Sequence, residues 1–520
     1  MRLKISSWIV IIALALASDL PAQPASSTNR PLRQLSLEDC IQMAVQHNLG
    51  LQVARFNPRI QQLQLDATYW NYEPVFNASA ARSSDTSEGG YNPTSGLPDP
   101  ADSIKQDSVG MGFSGLLPTG LRYDLGVDYR HIYGGGGTPG ISDNIDTFNN
   151  GVGISVTQPI LRDFLIDQTR LQIRRNKTAL ATSKLSLEET LMRLIRDLEV
   201  AYYELVASRD QVKVRQTALE LAERLLADNK RKVEVGTLAP LDEKQAEAQV
   251  AQARADLMAA RRLVLFRENA LRALITDNYR EWYGVELVPS EALLPVPVTL
   301  SRGESWARAL ERRPDFNRLK AELELQGYEV KYAKSQVLPS LDIVGGYGRS
   351  GRDSFFRGST NPVVIPPRDP SFGNTLDDIG DGSFPNWSIG AVFSVPLSSG
   401  RERRLSKAAK EREKQMQVEL QQLHQSILVA VEDAITLVES TYEQIGARRE
   451  AREFAQAALD AEQKKLENGK STSFQVLDLQ EDLTSARSAE IGALSEYNKS
   501  LTELYFSEGS LLDRRKIKVE

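Results

Sequence analysis

Two proline-free stretches dominate this chain, from about Arg162 to Val235 and from about Arg401 to Asn468. In the first, Leu187, Leu191, Leu194, Leu198, Ala201 and Leu205 recur in steps of four and three. In the second, Leu420, Leu423, Ile427, Ala430, Ala434, Leu437 and Thr441 do the same. Such a seam buries against partner helices as a coiled coil. At ~1.5 Å per residue each helix would be on the order of 100 Å long. A compact domain has no use for that length, although an ordinary bundle with kinked helices is the plainer alternative.

Each stretch is entered from a strand-like segment. In ISVTQP (154–159), Ile154 and Val156 point one way and Ser155 and Thr157 the other, the period of a half-buried strand. FSVPLSSG (393–400) repeats the transition at Pro396. Proline cannot donate to a strand ladder and can begin a helix, so Pro159 and Pro396 mark strand-to-helix junctions, and Pro74 and Pro339 are grouped with them. Phe76, Ala78 and Ala80 alternate with Asn77, Ser79 and Ala81. Ile389, Ala391, Phe393 and Val395 alternate with Ser388, Gly390, Val392 and Ser394. Gly-, Ser-, Asp- and Pro-rich loops lie between, at 83–103 and 350–386.

The chain also repeats itself. LSLEDCIQMAVQHNLGLQVAR starts at Leu35 and LSRGESWARALERRPDFNRLK at Leu300, and the same offset of 265 carries Pro74 to Pro339. Farther on, Pro159 aligns with Pro396, and the glycine of VEVGTLAPLD with that of LENGKSTSFQ. Each half reads as short helix, helix, strand, loop, strand, very long helix, glycine turn and second long helix. The divisions are a signal peptide over 1–22, a first repeat over 35–276, a connector over 277–299, a second repeat over 300–513 and a tail over 514–520.

MRLK followed by ISSWIVIIALALA has the charged start and short apolar core of a cleaved secretory signal, cut after Ala17 or Ala22. An uncleaved anchor is the other reading. No later apolar run reaches the ~18 residues of a spanning helix. The net charge of −6 over 520 residues argues against a nucleic-acid partner. The single cysteine, Cys40, suits an apolar helix face, and His47, His131 and His424 have no ligand-like spacing. The run Gly134–Gly137 lacks the Lys-Ser/Thr of a phosphate cradle. We assign no reaction, no cofactor and no metal.

Strands of weak alternation in an exported chain suit an outer-membrane β-barrel, with a soluble sandwich as the alternative. Such a barrel needs at least eight strands, and open edges do not persist in lipid. One chain offers four to six, so several copies would have to share the barrel.

The order of these features resembles the TolC-like outer-membrane efflux proteins, from Leu35 to about Ile517. The resemblance rests on the duplicated start, LPSL before a strand, SVTQPIL and FSVPLSSG at the junctions, the two glycine turns and SEGSLLDRRKI near the end. It implies an α+β membrane protein, a homotrimer whose shared outer-membrane β-barrel continues into a periplasmic α-helical barrel. It further implies a periplasmic adaptor, an inner-membrane transporter and outer-membrane lipid as partners, in a Gram-negative-type cell. The segment 108–132 reads as an extra hairpin. Laid over the mouth it would leave the family's usual twelve strands, the arrangement we expect; inserted, it would give three times six.

The resemblance also points to sites. Rings of acidic residues narrow the periplasmic end in the family, and the matching positions here are Gln475 and Asp478. Glycine at Gly236 and Gly469 suits helix reversal, with Thr237 or Ser471 capping the next helix. By resemblance the tips Val235, Gly236, Thr237, Leu238, Gly469, Lys470 and Ser471 meet the adaptor. The function implied is an exit duct for efflux or secretion. The competing readings are a structural or adhesive periplasmic coiled coil without a pore, and an exported enzyme on a helical stalk.

Overall fold

The computed structural model describes residues 31–92, 96–98, 101–135, 144–236, 238–357, 369–398 and 400–517, with backbone alone at 92, 97–98, 144 and 355–357. The signal peptide, Thr237, the last glycines of the 134–137 run and the final tail residues lie outside them.

The first half contains β1 (Leu32–Leu35), α1 (Leu37–His47), α2 (Leu49–Tyr69), β2 (Val75–Ser87), the short pair β3 (Tyr91–Asn92) and β4 (Leu97–Pro98), β5 (Asp102–Leu116), β6 (Arg122–Gly134) and β7 (Asn144–Pro159). Then come α3 (Gln168–Glu234), α4 (Pro240–Ile275), α5 (Tyr279–Trp282) and β8 (Glu286–Pro289). The second half contains α6 (Arg302–Arg312), α7 (Pro314–Ser335), β9 (Ser340–Arg357), α8 (Phe372–Asp381), β10 (Pro385–Ser394), α9 (Gly400–Glu467), α10 (Ser473–Ser507) and α11 (Leu511–Arg514). The starts of α1 and α6, of α2 and α7, and of β2 and β9 keep the 265-residue offset of the sequence. Pro74 and Pro339 are not strand-to-helix junctions: each stands after a helix and immediately before a strand, β2 or β9, where a proline stops the helix from continuing.

Helices α3 and α9, of 67 and 68 residues, run the length of a stalk on the order of 100 Å. Toward the sheet they pack with α2 and α7, and toward the far end with α4 and α10. None of the described helices is long and apolar enough to cross a membrane. The α3 seam is buried as its heptads require. The α9 seam differs from the expectation. Ile427, Val431, Ile435, Val438, Thr441 and Ile445 are buried, whereas Leu437 is exposed. The seam turns because α9 must satisfy α6 and α7 with one stretch and α10 with the next: Phe316, Tyr497 and Leu504 all join this cluster.

Neither long helix begins at its proline. Pro159 closes β7, and residues 160–167 then turn through Asp163 at φ 65° before Asp167 caps α3 by accepting from the Arg170 amide at 2.7 Å. Arg170 Nε also donates to the Pro118 carbonyl at 2.9 Å, tying the β5–β6 turn to the stalk. After Pro396, α9 starts at Gly400.

At mid-stalk, β1 and β8 pair in parallel above the largest apolar cluster. Cys40 is fully buried there, and burial pushes its thiol pKa up to about 12. Tyr202 is also fully buried and donates to the Leu35 carbonyl at 3.2 Å. Glu268 and Arg272 form a buried ion pair at 2.8 Å. Arg313 and Glu508 anchor α6 and α7 against the end of α10 through the Ser507 carbonyl and the Arg308 guanidinium. Burial would raise the Glu508 carboxyl, but hydrogen bonds from Ser305 and Arg308 and the Arg308 charge outweigh it and hold its pKa low.

The sheet overturns the expected placement of the extra hairpin. Six strands pair in the order β10-β9-β7-β6-β5-β2, so β5 and β6 stand inside the sheet. They pair over 13 positions on the β2 side and 13 on the β7 side. Both strands of the hairpin thus have a ladder partner on each side, which a flap over the mouth would not supply.

Candidate functional site

The sheet has two chemically distinct faces. Phe76, Phe113, Leu125, Ile154, Tyr347 and Trp387 are directly opposed from strand to strand and form one apolar row across all six strands. Ala78, Met111, Val127 and Val152 extend that face on one side of the row, and Ile343, Ala391 and Ile389 lie on it toward the stalk. The side chains are bare, with Trp387 75% and Ile389 76% exposed. Phe76, Ala78, Ile154, Ile389 and Ala391 belong to the alternation sets read from the sequence.

One residue along, the register sets Asn77, Gly112, Gly126, Gly153, Gly348 and Asn386 in a row on the opposite face. A Cβ on Gly112 would meet the Leu125 carbonyl oxygen at 2.5 Å, and one on Gly348 the Val152 oxygen at 2.9 Å. Backbones crowd on this side, so the sheet curls toward it. The concavity holds about 1000 Å³ and carries Ser79, Asp124, Asp128, Asn149, Arg352 and Ser388. The convex face is apolar and the concave face small and polar, the division of a wall between lipid and water.

At the other end of the stalk the two helical hairpins reverse. Gly236 and Gly469 take left-handed φ values of 75° and 68°, as their place after a helix end requires. The caps differ from expectation. Ala239 precedes α4, which opens on Pro240, and Thr472 rather than Ser471 caps α10. Ser471 instead donates to Glu462 at 2.5 Å. The Lys465 ammonium, then Ser471, hold the Glu462 carboxyl pKa low. Gln475 closes a capping box: its amide donates to Thr472 Oγ1, and its side-chain oxygen accepts from the Thr472 amide. A glutamine here is therefore explained by the cap it completes.

Asp478 lies one turn on, exposed, with Glu481 and Asp482 beside it at i+3 and i+4. The sequence reading missed these two. The signal available was their spacing from Asp478 on the face opposite buried Val476, Leu477, Gln480 and Leu483, of which the three apolar side chains cluster with Leu225 and Leu459. No ion pair or hydrogen bond engages the three carboxylates among the described residues. Neighbouring tip charges are compensated: Lys230 and Lys244 reach Glu247 at 3.4 and 2.7 Å, and Lys465 reaches Glu462 at 2.8 Å. Uncompensated like charges one turn apart cost a helix about 0.2–0.5 kcal/mol per pair. This stripe therefore detracts from stability where it stands.

Buried Asn229 fixes the stripe relative to the other hairpin. It accepts from Ser473 Oγ at 3.1 Å and donates to the Asp242 carbonyl at 3.5 Å. Val235, Leu241 and Phe474 are exposed at the tips, and Leu238 is half-buried. Replacing Gly236 or Gly469 by Val is expected to cost about 1–2 kcal/mol locally. A Cβ at either glycine meets nothing within 4 Å, so the cost is conformational. Limited proteolysis should show faster cleavage at the altered tip, with global melting unchanged.

A long helical stalk with an acidic tip, set on a sheet with one lipid-like and one water-like face, defines a membrane-embedded transport subunit. The pattern of the outer membrane efflux proteins matches residues 126–276 and 306–510, and the chain belongs to that family. It is 24% identical to the outer membrane protein TolC of Escherichia coli over 401 residues, 76% of this chain and 75% of TolC. It is equally identical to the outer membrane efflux protein BepC of Brucella suis over 343 residues, 66% of this chain and 68% of BepC. The fold matches the CmeC outer membrane channel of Campylobacter jejuni with a TM-score of 0.62 at 17% identity, over 91% of this chain and 86% of that one. The protein is thus an outer-membrane efflux component with a large periplasmic helical part. The adhesive coiled coil without a pore is not favoured.

Proposed function

We propose that three copies of this chain assemble into an exit duct, in which a shared β-barrel crosses the outer membrane and a helical tube crosses the periplasm. The observation that carries this reading is the open sheet. Strands β2 and β10 each have one unpaired edge, yet the convex face between them is apolar. Unpaired backbone groups cannot persist in lipid, so β2 of one copy pairs with β10 of the next. Three copies then contribute eighteen strands, a number that leaves a water-filled channel, lined by the Gly112–Gly348 face. The stalk offers a matching contact. Val53, Phe56, Ile60 and Leu63 repeat along α2 in heptad steps and are exposed. They suit burial against the outer side of a neighbour's α9, where Leu405 and Val418 are exposed.

In this assembly the Asp478 stripe lines the periplasmic entrance, with Gln475 beside it. Val235, Gly236, Thr237, Leu238, Gly469, Lys470 and Ser471 form the rim that a periplasmic adaptor meets, itself joined to an inner-membrane transporter. The 265-residue offset between equivalent elements supports an origin by duplication, with halves at 35–276 and 300–513 around the connector 277–299.

Purification from outer membranes in mild detergent is expected to yield particles of about three chain masses, with a tube on the order of 100 Å or more in length. Images of the barrel should count eighteen strands. A detergent-free monomer would overturn the duct. A trimer with twelve strands would overturn the placement of β5 and β6.

A further inference from the structure

We infer that α8, in the connection between β9 and β10, is an interfacial helix seated in the outer leaflet against the outer wall of the barrel. This rests on the proposed barrel, in which the convex face meets lipid.

Helix α8 is built onto the convex face. The register puts Arg349, Gly351 and Asp353 of β9 on that face with Val152, Asn150 and Phe148 of β7. Asp353 accepts from the Ser371 amide at 3.0 Å and from Asn374 Nδ2 at 2.6 Å, holding the start of the helix. Asn150 donates to Thr375, which is fully buried at the middle. Arg349 donates to the Ile379 carbonyl at 3.4 Å, holding the end. Gly351 makes room: a Cβ there would lie 2.1 Å from the Thr375 carbonyl oxygen.

The helix leaves Phe372 and Leu376 exposed on one side and Asp377 and Asp381 on another. Phe372 reaches across to β6, where its ring packs edge-on to Tyr129 at 5.3 Å. Tyr129 ends the apolar set of β6, and the next row of the convex face is mostly polar, with Arg82 and Asp107 paired at 2.6 Å and His131 stacked on Phe148. The apolar side of α8 is thus continuous with the lipid-facing band at its far boundary from the stalk. Exposed Phe384 and Trp387 lie in the connection and strand that follow. Aromatic rings gather in this way at the water–lipid boundary. A neighbouring copy is a poorer occupant, since it would join at β10 or β2, whereas Phe372 leans over β6, inside the sheet.

Single spin labels test this in full-length protein carrying Cys40→Ala, reconstituted in phosphatidylcholine vesicles. Labels are placed at 372 and 376, at 377 and 381, at 127 in the band and at 388 on the concave face. Oxygen accessibility relative to a water-soluble nickel chelate should be several-fold higher at 372, 376 and 127 than at 377, 381 and 388. Gly351→Val should shift 372 and 376 to the water-exposed ratio and leave 127 unchanged. Lipid exposure at 127 with water exposure at 372 and 376 would overturn the interfacial helix and leave the barrel standing. Water exposure at 127 as well would overturn the barrel reading and this inference together.

Discussion

Replacing Asp478, Glu481 and Asp482 together by Asn, Gln and Asn is expected to remove most of the cation preference of single pores in planar bilayers. In the proposed trimer the stripe places three carboxylates per chain around the narrow end. Like-charged rings raise the local cation concentration and exclude anions in a confined, low-dielectric entrance. The native preference should fade as salt rises toward 1 M, where the screening length falls to about 3 Å. The variant should show little salt dependence. Divalent cations should block the native pore more strongly than the variant. Stability should be unchanged or slightly raised, because the replaced groups repel one another at i+3 and i+4 without counter-charges. An unchanged preference would place the stripe outside the conduction path. Asp478→Asn alone should have a partial effect, with Glu481 and Asp482 left in place.

The largest expected loss of stability is at Glu268. Its side chain is 1% exposed and that of its partner Arg272 2%. Glu268→Gln leaves the Arg272 guanidinium buried without its counter-charge, facing only neutral acceptors: the Gln amide oxygen, the Asn269 side chain and the Val285 carbonyl. Removing one member of a buried pair typically costs about 3–5 kcal/mol, and the remaining acceptors put this case near the lower end. Arg272→Met should cost less, because Glu268 keeps Arg209 at 3.2 Å. The double replacement Glu268→Met with Arg272→Met should lie within about 1 kcal/mol of the native chain, since apolar side chains of similar volume often substitute for a buried pair. Arg209 would then retain Glu286 at 2.7 Å. Melting midpoints of the helical circular dichroism signal in detergent should follow that order. A double variant as unstable as Glu268→Gln would refute the stranded-charge argument.

Much of the stalk was legible because heptad spacing depends on residues near one another in the chain. Leu187 to Leu205 are buried where the steps of three and four place them. Leu437 was misread for a reason of the same kind: period alone cannot tell which of two adjacent seams a helix will bury when its partners change along its length. The acidic site was half legible. Asp478 was named, but Glu481 and Asp482 needed the buried face of α10 to be known before their exposure could be seen. Gln475, matched by resemblance to a position of the acidic rings, also makes the contacts of a cap, which its spacing from Thr472 could have shown.

By itself the sequence determined much of the element pattern: two very long helices, apolar–polar alternation at 76–81, 154–157 and 388–395, glycine reversals at Gly236 and Gly469, and a spacing of 265 between matching starts. These follow from local periodicity and local backbone preference. Only the tertiary structure decided which strands are neighbours, that β5 and β6 enter the sheet, and that Phe76 and Trp387, far apart in the chain, share one apolar row. Strand pairing is a long-range choice among edges of similar chemistry, and it is settled by register. It is also what put Gly351 beneath Thr375, where a side chain would have kept α8 off the wall.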